Sequence, residues 1–265
     1  DRDPGRSVSA AIAGIWLAGC GNMAGAMLRR WIETGTVAPE TVFVVNRQDR
    51  ALPKGVRQGR AFPDEVAPGF VMLGVKPQQL DAVPTLPRGG TLISILAGVE
   101  VATLAARFPD RAIVRAMPNL PVALGKGVVA LCGARAEGID ALMAPLGLVE
   151  WVGESRFDLV TALAGSGPGF VYRFIDALAA AGAALGLDEA QAQRLALATV
   201  EGAGVLAGLA DSSPAALADR VASPGGSTRK GLDVLDADGA LRNLLVATLA
   251  ASARRNAEMA AEARR

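Results

Sequence analysis

Short apolar runs alternating with helical spacings fill the first half of the chain. Residues 12–18, 42–46, 70–75, 91–95, 111–116, 128–132 and 148–152 read as strands, because each is a brief apolar segment of strand length. Val42-Phe43-Val44-Val45 and Phe70-Val71-Met72-Leu73 lack polar alternation, as expected of strands covered on both faces of a parallel sheet. Between the strands, 22–33 and 99–107 have helical spacing. Beyond residue 155 the strands stop and Ala- and Leu-rich helical segments take over, with breaks expected at Gly165-Ser166-Gly167-Pro168, Gly186-Leu187-Asp188 and Ser223-Pro224-Gly225-Gly226. The pattern predicts an α/β chain: a parallel-sheet domain over 11–153, an all-α helical domain over 154–265, and a solvated, flexible tail over 1–10.

In the second half, Val171, Phe174, Ile175, Leu178 and Leu185 keep one helical face apolar, and Leu241, Leu244, Leu245 and Leu249 do the same near the C-terminus. An intramolecular bundle would bury one such face. Ala and Gly on further faces leave apolar surface for another subunit, so a homodimer, or a higher homo-oligomer built from dimers, is the preferred expectation.

Composition narrows the chemistry. The 27 basic and 26 acidic residues leave a net charge of +1, without the excess that nucleic acid or anionic membrane requires. The absence of histidine removes the Ser-His-Asp triad, His-assisted dehydrogenation and His-ligated zinc. Cys20 and Cys132 form neither a disulfide framework nor a metal-ligand spacing, which fits a reducing cytoplasm, and no metal site is expected. The uncharged stretch from Ser7 to Leu28 contains a Leu17-Ala18-Gly19-Cys20 lipoprotein-like box, but cleavage there would destroy a nucleotide motif.

That motif is Gly19-Cys20-Gly21-Asn22-Met23-Ala24, which follows strand 12–18 through Ala18 and opens a helix. Bare backbone at a strand-to-helix turn lets a pyrophosphate approach the helix N-terminus, which makes the first domain Rossmann-type. The next strand ends Val45-Asn46-Arg47, where an NAD enzyme usually places a ribose-binding acid. Arg47, with Arg50 and Lys54 behind it, suits the 2′-phosphate of NADP instead, and a solvated basic loop is the alternative.

The missing residue types also restrict the substrate. Tyr172 is the only tyrosine and has Asp176, not Lys, four positions on. None of Lys54, Lys76, Lys126 and Lys230 lies between 155 and 215. Reducing a carbonyl needs a proton donor beside the developing alkoxide, whereas an imine nitrogen can arrive protonated, so a small C=N substrate is favoured. In Ala222-Ser223-Pro224-Gly225-Gly226-Ser227-Thr228, backbone N–H groups and hydroxyls before a short helix form a nest suited to a carboxylate; an ordinary Gly-Pro turn with a Ser/Thr cap is the alternative.

Six ordered blocks extend these motifs into a resemblance over nearly the whole chain. They are the glycine loop, Gly74-Val75-Lys76-Pro77, Ile95-Leu96-Ala97-Gly98-Val99, Arg115-Ala116-Met117-Pro118-Asn119, Ala164-Gly165-Ser166-Gly167-Pro168 and Ser223-Pro224-Gly225-Gly226-Ser227-Thr228. The chain resembles the pyrroline-5-carboxylate reductase family, which makes L-proline from 1-pyrroline-5-carboxylate. The resemblance implies an NADPH-preferring imine reductase with a Rossmann domain, a helical dimerisation domain, and the site between them. It places Val75, Lys76 and Pro77 on the adenosine and pyrophosphate side of the cofactor, and Ala97, Gly98 and Asn119 on the nicotinamide side. Gly225, Gly226, Ser227 and Thr228 would hold the substrate carboxylate, with the Thr228 hydroxyl as the catalytic group near the ring nitrogen and Glu154 approaching the substrate. Gly169 and Ala61 depart from the family's usual Ala and Asn. Two rival readings are an NADP-dependent hydroxyacid or ketoacid reductase using Lys76 or Lys126 as acid, and a non-catalytic NADP-sensing dimer.

Overall fold

The computed structural model describes residues 12–263, with no side-chain description at 263; the expected tail over 1–10 lies outside the described residues. Two compact units are present. The first comprises residues up to Ser166 together with Ser252 onward, and the second Gly167–Ala251.

The first unit is built on eight strands: β1 (Ile15–Ala18), β2 (Val42–Val45), β3 (Arg57–Gly59), β4 (Phe70–Leu73), β5 (Thr91–Ser94), β6 (Ile113–Pro118), β7 (Gly127–Gly133) and β8 (Gly147–Trp151). Their order is β3-β2-β1-β4-β5-β6-β7-β8. All neighbours are parallel except β6 and β7, where Arg115 pairs with Cys132 in an antiparallel register. The expected parallel sheet is therefore mostly parallel with one reversal. A short 3-10 turn at Leu120–Leu124 returns the chain directly, whereas a parallel neighbour would need a crossover helix.

The alternation of a strand explains the two-sided core. Ile15 and Leu17 face one layer, with Met27, Leu28 and Trp31 of helix α1 (Asn22–Glu33). Trp16 and Ala18 face the other, with Val71, Leu73, Leu92 and Leu104 of helix α2 (Val101–Arg107). A strand carrying side chains to both faces at a period of two must be apolar throughout when both faces are covered. β3 departs from that pattern: Arg57-Gln58-Gly59 is polar, pairs only with β2, and was not among the expected strands.

Helix α3 (Ile139–Met143) connects β7 to β8, and helix α4 (Glu154–Val160) follows. Phe157 of α4 is fully buried against Ala130 and Cys132 of β7. By packing, the first unit thus runs past the boundary expected at 153. The interruption expected at 165–168 coincides with an element boundary, a bend at Ser166. A π-helical turn at Thr161–Gly165 precedes the bend and α5 (Gly167–Ala184) follows it, with Pro168 in its first turn, where no intrahelical N–H bond is lost.

The second unit contains α5, α6 (Glu189–Leu209), α7 (Pro214–Val221), α8 (Ser227–Asp236) and the first half of α9 (Ala240–Ala263). Ala179, Ala192 and Ala196 bring α5 and α6 close together. A break between α6 and α7, unmarked in the sequence reading, is closed by Ser213, whose hydroxyl accepts from the Ala216 N–H at 3.2 Å. Val171, Phe174, Leu178, Leu185, Leu244 and Leu245 remain exposed.

Candidate active site

A groove of about 960 Å³ runs along the carboxyl ends of β1, β2 and β4. β1 lies between β2 and β4, so this is the point at which the sheet changes its direction of growth and where such folds bind ligands. Of the residues expected to hold a cofactor, Ala18, Gly19, Cys20, Gly21, Asn22, Met23, Ala24, Asn46, Arg47, Val75 and Lys76 line it.

The loop geometry follows from sterics. Gly19 has φ +88°, and a Cβ there would lie 2.7 Å from a Val75 methyl, so only glycine lets β1 turn beside the end of β4. Gly19 N–H donates to Val45 O at 2.8 Å, and Cys20 N–H donates to the Asn46 side-chain oxygen at 3.0 Å. The next residue, Gly21, caps α1 with no side-chain hydrogen bond, and the first turn carries no acid. Open space stands where a Gly21 side chain would project. An uncapped N-terminus with its orphan N–H groups and positive dipole end fits a phosphate.

The groove's charge points the same way. Arg47, Arg50, Arg60 and Lys76 line it and no carboxylate does. Arg60, which the sequence reading missed, donates to Asn46 O at 3.1 Å and pairs with Asp49 at 2.8 Å. The Asn46 side-chain nitrogen is buried without a hydrogen-bond partner, a donor whose satisfaction awaits an acceptor. Gln48, Gln79, Val83 and Ile95 complete walls that no motif marked. These residues fit a 2′-phosphorylated dinucleotide.

The remaining cofactor candidates are not among the residues that line the groove. Pro77 follows Lys76 as the first residue of a 3-10 turn at Pro77–Ala82, and Ala97 and Gly98 follow Ile95 in the loop beyond β5. Asn119 is buried, and its side chain is consumed internally. Its nitrogen donates to Ala164 O at 3.0 Å and its oxygen accepts from Val128 N–H at 2.8 Å.

Glu154, also in the first unit, is engaged by protein groups. One carboxylate oxygen pairs with the buried Arg115 guanidinium. The other accepts from Val101 N–H at 3.4 Å and from the Cys132 thiol at 3.4 Å. Arg115 lies 4.1 Å over the Phe157 ring, with Asp158 3.9 Å away. Arg115 is thus the buried member of the pair, whereas a third of the Glu154 side chain is exposed.

Within the second unit, Ser223-Pro224-Gly225-Gly226 forms a tight turn. Gly226 N–H donates to Ser223 O at 2.9 Å, and Gly225 has φ +74°, the left-handed value that a Pro-Gly turn of type II demands at its third position. Gly226 caps α8 with no side-chain bond, and Ser227 and Thr228 occupy the first turn, exposed. Arg229 and Asp219, paired at 2.7 Å, tie α8 to α7. The expected nest is thus an open helix N-terminus carrying two hydroxyls.

Among the described residues, no group of three His, Cys, Asp or Glu side chains could hold a metal ion, and no helix is long and apolar enough to cross a membrane.

Comparison with known proteins adds independent findings. Residues 154–259 match the family model for pyrroline-5-carboxylate reductase dimerisation, and residues 14–98 match the model described as NADP oxidoreductase, coenzyme F420-dependent. The pyrroline-5-carboxylate reductase of Synechocystis sp. is 38% identical over 267 residues, covering 92% of this chain and 97% of that protein. Pyrroline-5-carboxylate reductase 2 of Bacillus subtilis is 30% identical, with 92% and 94% covered. A solved pyrroline-5-carboxylate reductase structure, from Coxiella burnetii, matches with a TM-score of 0.81 at 30% identity, over 94% of this chain and 98% of that one.

Proposed function

The chain belongs to the pyrroline-5-carboxylate reductase family, and we infer from that membership that it reduces the C=N bond of 1-pyrroline-5-carboxylate to give L-proline. The observation that carries the reading is the near-full-length identity to reductases of that name, spanning both the groove and the helical half. The first half has the character of an NADP-binding domain.

The finer assignments rest on chemistry. NADPH is the preferred reductant because the residues lining the groove include guanidinium groups and no carboxylate, Asp49 nearby being paired with Arg60. When bound, the dinucleotide supplies the hydride. The chain's own residues then do the holding: the N–H groups at the start of α1 take the pyrophosphate, and Arg47 with Arg50 takes the 2′-phosphate. The uncapped start of α8 takes the substrate carboxylate through Gly226, Ser227 and Thr228, with the Thr228 hydroxyl hydrogen-bonded near the ring nitrogen. Glu154 is committed to Arg115, so direct contact with substrate is not assigned to it. The working form is a homodimer, or an assembly of dimers, joined through the helical half, whose family model is a dimerisation domain. Cys20 and Cys132 are free thiols, in keeping with a reducing cytoplasm.

The test is NADPH consumption on adding 1-pyrroline-5-carboxylate to the purified chain, with chromatographic detection of proline. Turnover is expected, and no proline would overturn the reading. Thr228→Ala is expected to lower kcat and raise the substrate KM by about tenfold together, the loss of one hydrogen bond to a charged group. Unchanged values would remove Thr228 from the site.

A further inference from the structure

Beyond β5 the chain runs through Ile95, Leu96, Ala97 and Gly98 toward α2, and Ile95 is one wall of the groove. With the phosphate loop on β1 and the basic residues after β2, an extended dinucleotide straddling the change of direction has its other half on the β4–β5 side. The loop over 95–100 is then the one beside the reacting end. This placement depends on the coenzyme reading of the groove.

The loop is held from two directions by side chains remote in sequence. On one side are the last turns of α9, which belong to the first unit. A Cβ on Gly98 would lie 3.0 Å from both the carbonyl carbon and the Cβ of Met259, and 3.1 Å from the Ala260 nitrogen, so the loop's backbone rests on the helix itself. The shielded residues of that helix end are Ser252, Ala253, Asn256, Met259 and Ala260, the spacing of a single helical stripe. Asn256 fixes the stripe by donating to Asp158 O at 3.1 Å, and the Ser252 and Ser166 hydroxyls lie 3.3 Å apart. From the other direction, Glu154 accepts from Val101 N–H at the start of α2 and is itself anchored on Arg115.

We propose that the end of α9 and Glu154 form a clamp that sets the position of the 95–100 loop, and with it the alignment of the coenzyme's reacting half, while leaving coenzyme affinity to the groove. Asn256, Met259 and Glu154 are positioning residues in this scheme. Phosphate and basic contacts supply most of the binding, whereas a displacement on the order of 1 Å at the reacting end lowers the rate by up to about a hundredfold.

The experiment uses the full chain and two measurements: NADPH affinity by fluorescence titration, and the single-turnover rate of imine reduction. Asn256→Leu is expected to keep affinity within about threefold of the parent while slowing single turnover by about ten- to a hundredfold. Asn256→Gln, which retains the donor, is expected to recover most of the rate. If Asn256→Leu does not fold, Asn256→Ala decides. A single-turnover rate unchanged in Asn256→Leu overturns the clamp. So does a parallel loss of affinity, rate and thermal midpoint, because that is a merely structural role. A parent chain that does not bind NADPH in the same titration overturns the coenzyme reading itself, whereas a binding parent with indifferent variants overturns the clamp alone.

Discussion

Arg47 stands directly after Asn46 at the end of β2, on the groove wall. If it pairs with a 2′-phosphate, Arg47→Ala raises the KM for NADPH by about tenfold and leaves that for NADH nearly unchanged. Initial rates with both reductants check this, and an unaltered KM ratio would remove Arg47 from phosphate recognition. Cys132 makes a second prediction. Burial first, and then the charge and hydrogen bond of Glu154, push its thiol up to about 11 from an ordinary 9.0. The unfolded chain releases this proton at the lower value while the native state keeps it, so this thiol draws down native stability as pH climbs from about 9 to about 11. At lower pH both states hold the proton and no slope arises. Thermal unfolding across that window is expected to decline less steeply in Cys132→Ala than in the parent. At this scale the glycine turn and the groove position of Arg47 were legible because they lie in contiguous residues at strand ends. The internal partners of Asn119 and Glu154 were not legible, because Ala164 O and the Arg115 guanidinium stand 45 and 39 positions away.

Helix α1 shows what local pattern settles. Its span over 22–33 was readable from spacing alone, since Ala24, Met27, Leu28 and Trp31 recur on one side. Trp31 is fully buried, and its indole nitrogen donates to Leu142 O at 2.6 Å. Trp31→Ala is expected to destabilise the first unit by about 3–5 kcal/mol, read as a shift in denaturant midpoint, and a shift under 1 kcal/mol would mean the site repacks. β3 was invisible because Arg57-Gln58-Gly59 carries no apolar signal and exists only as a partner for β2. Strand direction was equally hidden: β7 reads the same in sequence whether it runs with β6 or against it, and the short return through Leu120–Leu124 decides. The Gly-Ser-Gly-Pro segment does punctuate the chain, since one helical element ends at Gly165 and α5 starts at Gly167.

For the whole molecule, the exposed aliphatic and aromatic residues of the helical half are the largest unfinished business of a single chain. Phe174 is 49% exposed and Leu244 65%, in a region that matches a dimerisation domain. Charge introduced into a buried apolar interface is costly, so Phe174→Glu together with Leu244→Arg is expected to shift the mass measured by light scattering toward the monomer. An unchanged mass would place these side chains outside the interface. The division into a sheet half and a helical half was legible from the change in texture near residue 155, but its boundary by packing was not, since Phe157 looks like any helical residue until β7 covers it.

The sheet's outer margin on the β3 side is three residues long, and Arg57, its guanidinium 5.6 Å from the Phe43 ring centroid, places a cation there. A margin so brief and charged offers little backbone for a stray strand to zip onto. Ribbon-like aggregation is thereby discouraged at that flank even when the protein is crowded, and orderly self-association is left to surfaces made of side chains.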